Sequence, residues 1–228
     1  MANTKDADDK FQGIDNALTR TEQYIEENRK SLSIIAGAII AAVAIYFAFN
    51  SFYLKPQEEK AKSQMYVAER YFEKDSFNLA LKGDGNFFGF INIIEDYSMT
   101  NSANLAHYYA GICYKNTGKF ELAIEMLKKF DSKDKMLSNI ALGSIGDCYS
   151  ELNKTDDAIK YYTRAADNIK NDFTTPVYLM RAGILLEQKG DYKKALSLYQ
   201  RIEKEYSTTN EGQQIVKYIT RVKVKGNI

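Results

Sequence analysis

The feature that most constrains this chain is an uncharged run of 24 residues, Ser31 to Leu54 (SLSIIAGAIIAAVAIYFAFNSFYL), closed off by Arg29-Lys30 before it and Lys55 after it. About 20 apolar residues in helical form cross the ~30 Å hydrocarbon core of a bilayer, and a helix is the form in which such a stretch bonds its own N–H and C=O groups. The pattern predicts a membrane-spanning helix over 31–54. Tyr46, Phe47, Phe49, Phe52 and Tyr53 crowd its second end, as rings do at a lipid–water boundary. Gly37, Ala41, Ala44 and Ala48 recur at i, i+4, i+7 and i+11, a stripe of small residues on which another helix can approach closely. A cleaved signal peptide would have a short basic lead and an apolar core of only about 7–15 residues. Here 30 residues precede the run, and large aromatics stand where cleavage needs small side chains. An uncleaved signal anchor is the expectation.

Charge adds little to orientation or partners. Residues 1–30 hold five basic and seven acidic side chains, leaving 26 basic and 23 acidic for the rest, so no nucleic-acid partner is expected. Arg20, Arg29 and Lys30 before the apolar run nearly balance Lys55, Lys60, Lys62 and Arg70 after it, and the positive-inside rule gives no firm direction. Two prolines in 228 residues, with abundant Ala, Lys, Glu and Tyr, predict an all-helical protein. Before the membrane segment, Phe11, Ile14, Leu18 and Ile25 share one helical face, which predicts an amphipathic juxtamembrane helix in 1–30. Lys55-Pro56 is expected to end the membrane helix, with a new helix from Gln57 to about Lys74.

Beyond residue 100 the chain repeats itself. AGICYKNTGKFELAIEML from Ala110, IGDCYSELNKTDDAIKYY from Ile145 and AGILLEQKGDYKKALSLY from Ala182 align at Gly111, Gly146 and Gly183. The same alignment matches Ala123, Ala158 and Ala195, and then Leu127, Tyr162 and Tyr199, with periods of 35 and 37 residues. Small residues let two helices cross closely, and the large residue four positions on fills a layer. Gly118, Asn153 and Gly190 occupy the turn, the residue types that accept a left-handed backbone. This resembles the tetratricopeptide repeat, a pair of antiparallel helices of about 34 residues. A degenerate first copy is expected with Gly89 at the Ala123 position and Ile93 as its large residue. Pro56–Lys74 would be that copy's first helix, and Asp75–Asn86 an insertion between its helices. Ile215, Tyr218, Ile219 and Val222 form one stripe, as a helix capping the open end of a solenoid would. The expected fold is thus all-α: one N-terminal transmembrane helix (31–54), then a solenoid of about four helical hairpins and a capping helix (55–228).

No pattern of catalytic, cofactor-binding or metal-ligating residues emerges. His107 is the single histidine, with no recognisable nucleophile partner, and is read as a packing residue. Cys113 and Cys148 occupy equivalent places in successive repeats and read as small core residues. Gly83-Asp84-Gly85-Asn86 hints at a calcium loop, but Phe88 stands where the next oxygen ligand is needed, so a tight turn is expected. What can be read is a partner groove. The first helix of each tetratricopeptide unit lines the inner wall, which points Leu105, Tyr108 and Ile112 inward from one copy and Val177, Met180 and Ile184 from another. The copy between them offers Gly143, Asp147, Ser150 and Glu151, an apolar surface with acidic patches and no basic cluster.

The lead Tyr24-Ile25-Glu26-Glu27-Asn28-Arg29-Lys30-Ser31-Leu32, the Gly/Ala-rich helix and the degenerate first repeat together resemble the YfgM-like ancillary subunits of the SecYEG translocon. The resemblance implies a bacterial inner-membrane protein with its N-terminus in the cytoplasm and its repeats in the periplasm. It also implies association with SecYEG and with a membrane-anchored periplasmic prolyl isomerase chaperone, as a non-catalytic adaptor. A scaffold for envelope assembly or cell division, without translocon contact, is the alternative. If the small-residue stripe packs on a partner helix in the bilayer, Gly37→Leu with Ala41→Leu leaves membrane insertion intact and lowers recovery of the membrane complex in mild detergent. Undiminished recovery would remove that role for the stripe.

Overall fold

The computed structural model describes Tyr24, Ile25 and residues 28–228, and among these every regular element is a helix. The amphipathic face expected at Phe11, Ile14 and Leu18 lies outside the described residues. The chain divides into two compact units, Met1–Pro56 and Gln57–Ile228. In the first, α1 (Arg29–Phe49) is followed by a π turn, Asn50–Leu54. No residue of α1 is buried, and Ile34, Ile40, Ile45 and Tyr46 are each more than 65% exposed. Such a surface needs an apolar surrounding. The helix is long and apolar enough to cross a membrane.

One expectation is corrected at Pro56. Helical residues continue without a break into α2 (Lys55–Glu73), so the proline does not end the helix. The π turn gives the reason. The Lys55 N–H bonds the Asn50 carbonyl five residues back, and this widened turn comes just before the residue that has no N–H to offer.

The second unit continues with α3 (Phe77–Lys82), α4 (Phe90–Asp96), α5 (Asn101–Asn116), α6 (Phe120–Lys129), α7 (Lys135–Glu151), α8 (Thr155–Asn168), α9 (Thr175–Gln188), α10 (Tyr192–Glu205) and α11 (Asn210–Gly226). The pairs α5/α6, α7/α8 and α9/α10 are the three hairpins that the repeats predict. Each turns in the same way. Gly118, Asn153 and Gly190 have φ of 73°, 58° and 84°, and the following N–H bonds back to Tyr114, Tyr149 and Leu186 at 2.9, 2.8 and 2.9 Å. That six-to-one bond closes the last turn of the first helix and reverses the chain.

Inside each hairpin a large side chain lies on a glycine sixteen residues earlier. A Cβ on Gly111, Gly146 or Gly183 would stand 2.5, 2.6 or 2.4 Å from Leu127, Tyr162 or Tyr199, respectively. Tyr199 is fully buried and Leu127 and Tyr162 nearly so. Three clusters of buried side chains follow one another along the unit: Ala61 to Cys113, Ala123 to Cys148, and Ala158 to Val222.

The degenerate first copy departs from its expected alignment. Gly89 does not lie inside a helix as Ala123 does; it is the N-cap of α4, and a Cβ there would stand 2.4 Å from the Leu81 carbonyl. The second helix is therefore short, with seven residues. Asp75–Asn86 makes good the deficit, because it folds as α3 and places Ala80 and Leu81 in the core with Ala61, Met65, Phe90 and Ile93. Asp84 closes the turn that follows, accepting from the N–H groups of Asn86 and Phe87 at 2.9 Å and from the Tyr71 hydroxyl at 2.7 Å. Glu58 of α2 caps α5, accepting from the Asn101 N–H at 2.7 Å and the Ser102 hydroxyl at 2.8 Å.

At the other end α11 covers the last hairpin with Ile215, Ile219 and Val222, as its stripe predicts. Glu187 pins it. This carboxylate is 6% exposed and takes Arg221 at 2.7 Å and Lys225 at 3.1 Å. Burial raises its pKa, but the hydrogen bonds from Arg221 and Lys225 outweigh burial and hold it below the usual glutamate value.

Two outcomes follow. Gly146→Ala lowers stability by roughly 1–3 kcal/mol through overpacking, and less so when Tyr162 is replaced by Leu; a double-mutant cycle in urea unfolding measures this. Full additivity would mean that the contact is not what limits the hairpin. Glu187, charged and paired when folded, adds stability above its ordinary pKa of about 4.3 and loses it as pH falls through the lowered folded value. Acid titration of Glu187→Gln therefore shows lower stability at neutral pH and a shallower decline below about pH 5 than the parent chain.

Candidate functional site

The first helices of the hairpins, α5, α7 and α9, carry the side chains of the candidate wall at helical spacing. Leu105, Tyr108, Ile112 and Lys115 form one stripe of α5, Gly143, Asp147 and Ser150 one of α7, and Val177, Met180, Arg181 and Ile184 one of α9. All six apolar residues that the sequence singles out, Leu105, Tyr108, Ile112, Val177, Met180 and Ile184, are half-buried. Leu105 leans on the N-terminal cluster, Tyr108 and Ile112 on the middle one, and Met180 on the C-terminal one. The Tyr108 ring is 5.3 Å from that of Phe130 and 5.6 Å from that of Tyr109, so its edge is steadied by other rings.

Gly143 does not open the wall. A Cβ there would meet the Tyr178 ring at 2.0 Å, so the ring of the next repeat lies flat on the α7 backbone and covers it. Tyr178 in turn stacks near-parallel to Tyr162, with centroids 6.2 Å apart.

The acidic patch is also altered by its neighbours. Asp147 receives the Lys115 ammonium from the preceding repeat at 3.2 Å, the Tyr162 hydroxyl at 2.8 Å, and the Arg181 guanidinium from the following repeat. Arg181 also lies 5.9 Å from the Tyr162 ring centroid and 5.8 Å from that of Tyr178. Two cations hold the Asp147 carboxylate, and with Glu151 beside them the charges of this part of the wall balance, where the sequence suggested acidity. Burial, and after it the Asp147 charge, push the Tyr178 hydroxyl up to about 12 and the Tyr162 hydroxyl higher, so both stay protonated at neutral pH. Lys115, Asn116, Phe120, Asp147, Glu151 and Arg181 border a cleft of about 540 Å³ beside the apolar stripe. Lys115 and Arg181 are 32 and 34 residues from Asp147, close to one repeat period. That spacing is the signal by which sequence could have found them.

The wall presents half-buried apolar and aromatic side chains, with the charged Lys115–Asp147–Arg181 cluster on the same helices. The two thiols are inert: Cys113 and Cys148 are fully buried, and burial pushes both up to about 12. His107 is half-buried, its Nδ1 has no hydrogen-bond partner among the described residues, and burial followed by the Lys129 charge lowers its pKa.

Tetratricopeptide repeat profiles match residues 105–134, 141–176 and 178–209, one for each hairpin. No curated protein sequence matches the chain. Among solved structures, the nearly identical TPR-like repeats of a putative kinesin light chain from Podosopora anserina superpose with a TM-score of 0.54 at 11% identity, covering 75% of this chain and 88% of that one. The MamA protein superposes with a TM-score of 0.53 at 18% identity, covering 74% of this chain and 93% of the other. At such identities the likeness is one of fold. The matches indicate no enzymatic family, and a solenoid of these repeats is a scaffold for protein–protein interaction.

Proposed function

We propose that this chain is a membrane-anchored adaptor that holds a partner protein on the inner wall of its repeats. What supports this is the pairing of one exposed apolar helix of membrane-spanning length with a wall whose apolar residues are half-buried and whose cations converge on Asp147. More finely, the adaptor works beside the SecYEG translocon, with its N-terminus in the cytoplasm and its repeats in the periplasm. There it recruits a membrane-anchored prolyl isomerase chaperone to emerging proteins. The lead from Tyr24 to Leu32, the Gly/Ala-rich helix and the truncated first hairpin are the parts that favour this assignment over other anchored scaffolds.

Affinity purification of the full chain in mild detergent separates the possibilities. Translocon subunits and a prolyl isomerase are the expected companions. Division or cell-wall proteins in their place would overturn the translocon assignment and leave the adaptor itself standing. On the wall, Tyr108→Ala with Met180→Ala is expected to lower the melting temperature by only about 2–4 °C, since both residues are half-buried. The same variant captures the partner about tenfold less, as loss of central aromatic anchors does. Unaltered capture would move the binding surface elsewhere, and a collapse of the melting temperature would make these residues core.

A further inference from the structure

A second groove, of about 430 Å³, runs between α6 and α8 with α7 as its floor. Its base is apolar but nearly closed: Leu127, Ala141 and Ile145 are 2, 4 and 2% exposed, so the apolar surface on offer is that of half-buried Phe130 and Leu142 within a more polar rim. Two cations stand over one end. The Lys128 ammonium lies 5.5 and 5.7 Å from the ring centroids of Tyr149 and Tyr161 and donates to the Tyr149 hydroxyl at 3.0 Å. The Arg164 guanidinium lies 5.1 Å from the same Tyr161 ring, and the two rings are 5.3 Å apart.

These cations differ from those of the inner wall in one respect. Lys115 and Arg181 on that wall each hold a carboxylate of this chain, as do Arg201 and Arg221 elsewhere. Lys128 and Arg164 are exposed, and among the described residues neither has a carboxylate within 4.0 Å. Ring faces fix where the two charges sit without neutralising them, which leaves a place for an anion from outside. The bond to Tyr149 raises the Lys128 pKa and keeps it charged. The groove's other end suits no polyanion, because the Asp131 carboxylate borders it, with the Asp131 N–H and carbonyl both tied to Asn104 at 3.0 and 2.7 Å.

We propose that this outer groove docks an acidic, partly aliphatic segment of a protein partner. Aliphatic side chains rest on Phe130 and Leu142, and an Asp or Glu carboxylate bridges Lys128 and Arg164. The site is separate from the inner wall, so one chain can hold two polypeptides at once.

The test pans the purified full chain, in detergent micelles, against a random peptide library. Selected peptides are expected to carry Asp or Glu beside Leu, Ile or Phe. Lys128→Gln with Arg164→Gln weakens them by at least about tenfold, the scale of losing charge-assisted hydrogen bonds, while the circular dichroism melt stays unchanged. Lys128→Glu with Arg164→Glu recovers binding to the same peptide with its acid changed to Lys. Tyr108→Ala with Met180→Ala leaves the peptide bound, which keeps this result independent of the inner wall. The proposal is overturned if no peptide is selected, if selected peptides lack acids, or if the Gln pair binds them equally. It also fails if a single-stranded oligonucleotide or inorganic phosphate displaces them, or if the Gln pair abolishes self-association of the chain, which would make a second copy the occupant.

Discussion

Each hairpin depends on one contact: a side chain lying on bare backbone, with glycine sixteen residues before it. The distance between the two helices is set there, because any Cβ on Gly111, Gly146 or Gly183 would overlap the group above it. The consequences spread outward from the choice of that group. Leu127 in the first clear repeat needs nothing further. Tyr162 and Tyr199 bring a hydroxyl into the interior, and a buried hydroxyl requires a partner. Asp147 and Glu187 supply it at 2.8 and 3.4 Å. Each of these acids, drawn away from water, then attracts cations: Lys115 and Arg181 in one case, Arg221 and Lys225 in the other. A packing requirement within a hairpin thereby becomes a tie between hairpins, and in the second case the tie that seats the capping helix.

The ties also decide how the surface is shared out. Exposed ion pairs contribute little, about 0–1 kcal/mol; at Asp147 and Glu187 the carboxylate is shielded while Arg181, Arg221 and Lys225 stay about half exposed, so these ties carry shape more than charge. On the inner wall the charges at Asp147 are satisfied internally, and Tyr108, Ile112, Val177 and Met180 form a half-buried apolar edge. On the outer side Lys128 and Arg164 are held by tyrosine rings and the Tyr149 hydroxyl, and among the described residues neither pairs with a carboxylate. The two faces thus differ in chemistry.

The N-terminal hairpin solves a different difficulty. Its second helix has only seven residues, too few to cover α2. The α3 turn supplies Ala80 and Leu81 to the same cluster, and Glu58 reaches across to cap α5. A segment that looks inserted when the repeats are aligned is therefore a working part of the core.

By itself the sequence determined the order of parts: an uncharged helix of membrane-spanning length, three hairpins, their left-handed turns at Gly118, Asn153 and Gly190, and a capping stripe. These are legible because they rest on local periodicity and on residue types with few alternatives, such as glycine under a ring. The half-buried state of Leu105, Tyr108, Ile112, Val177, Met180 and Ile184 follows from the same repeat. Only the tertiary structure decided that Tyr178 covers Gly143, that Lys115 and Arg181 converge on Asp147, and that Asp75–Asn86 folds into the core. It also decided that helical residues continue through Pro56 and that Lys128 and Arg164 share one ring. The physical reason is common to all of them. Which side chains meet depends on the stagger of one hairpin on the next and on where a turn widens, and those offsets arise from packing between elements that no single stretch of sequence contains.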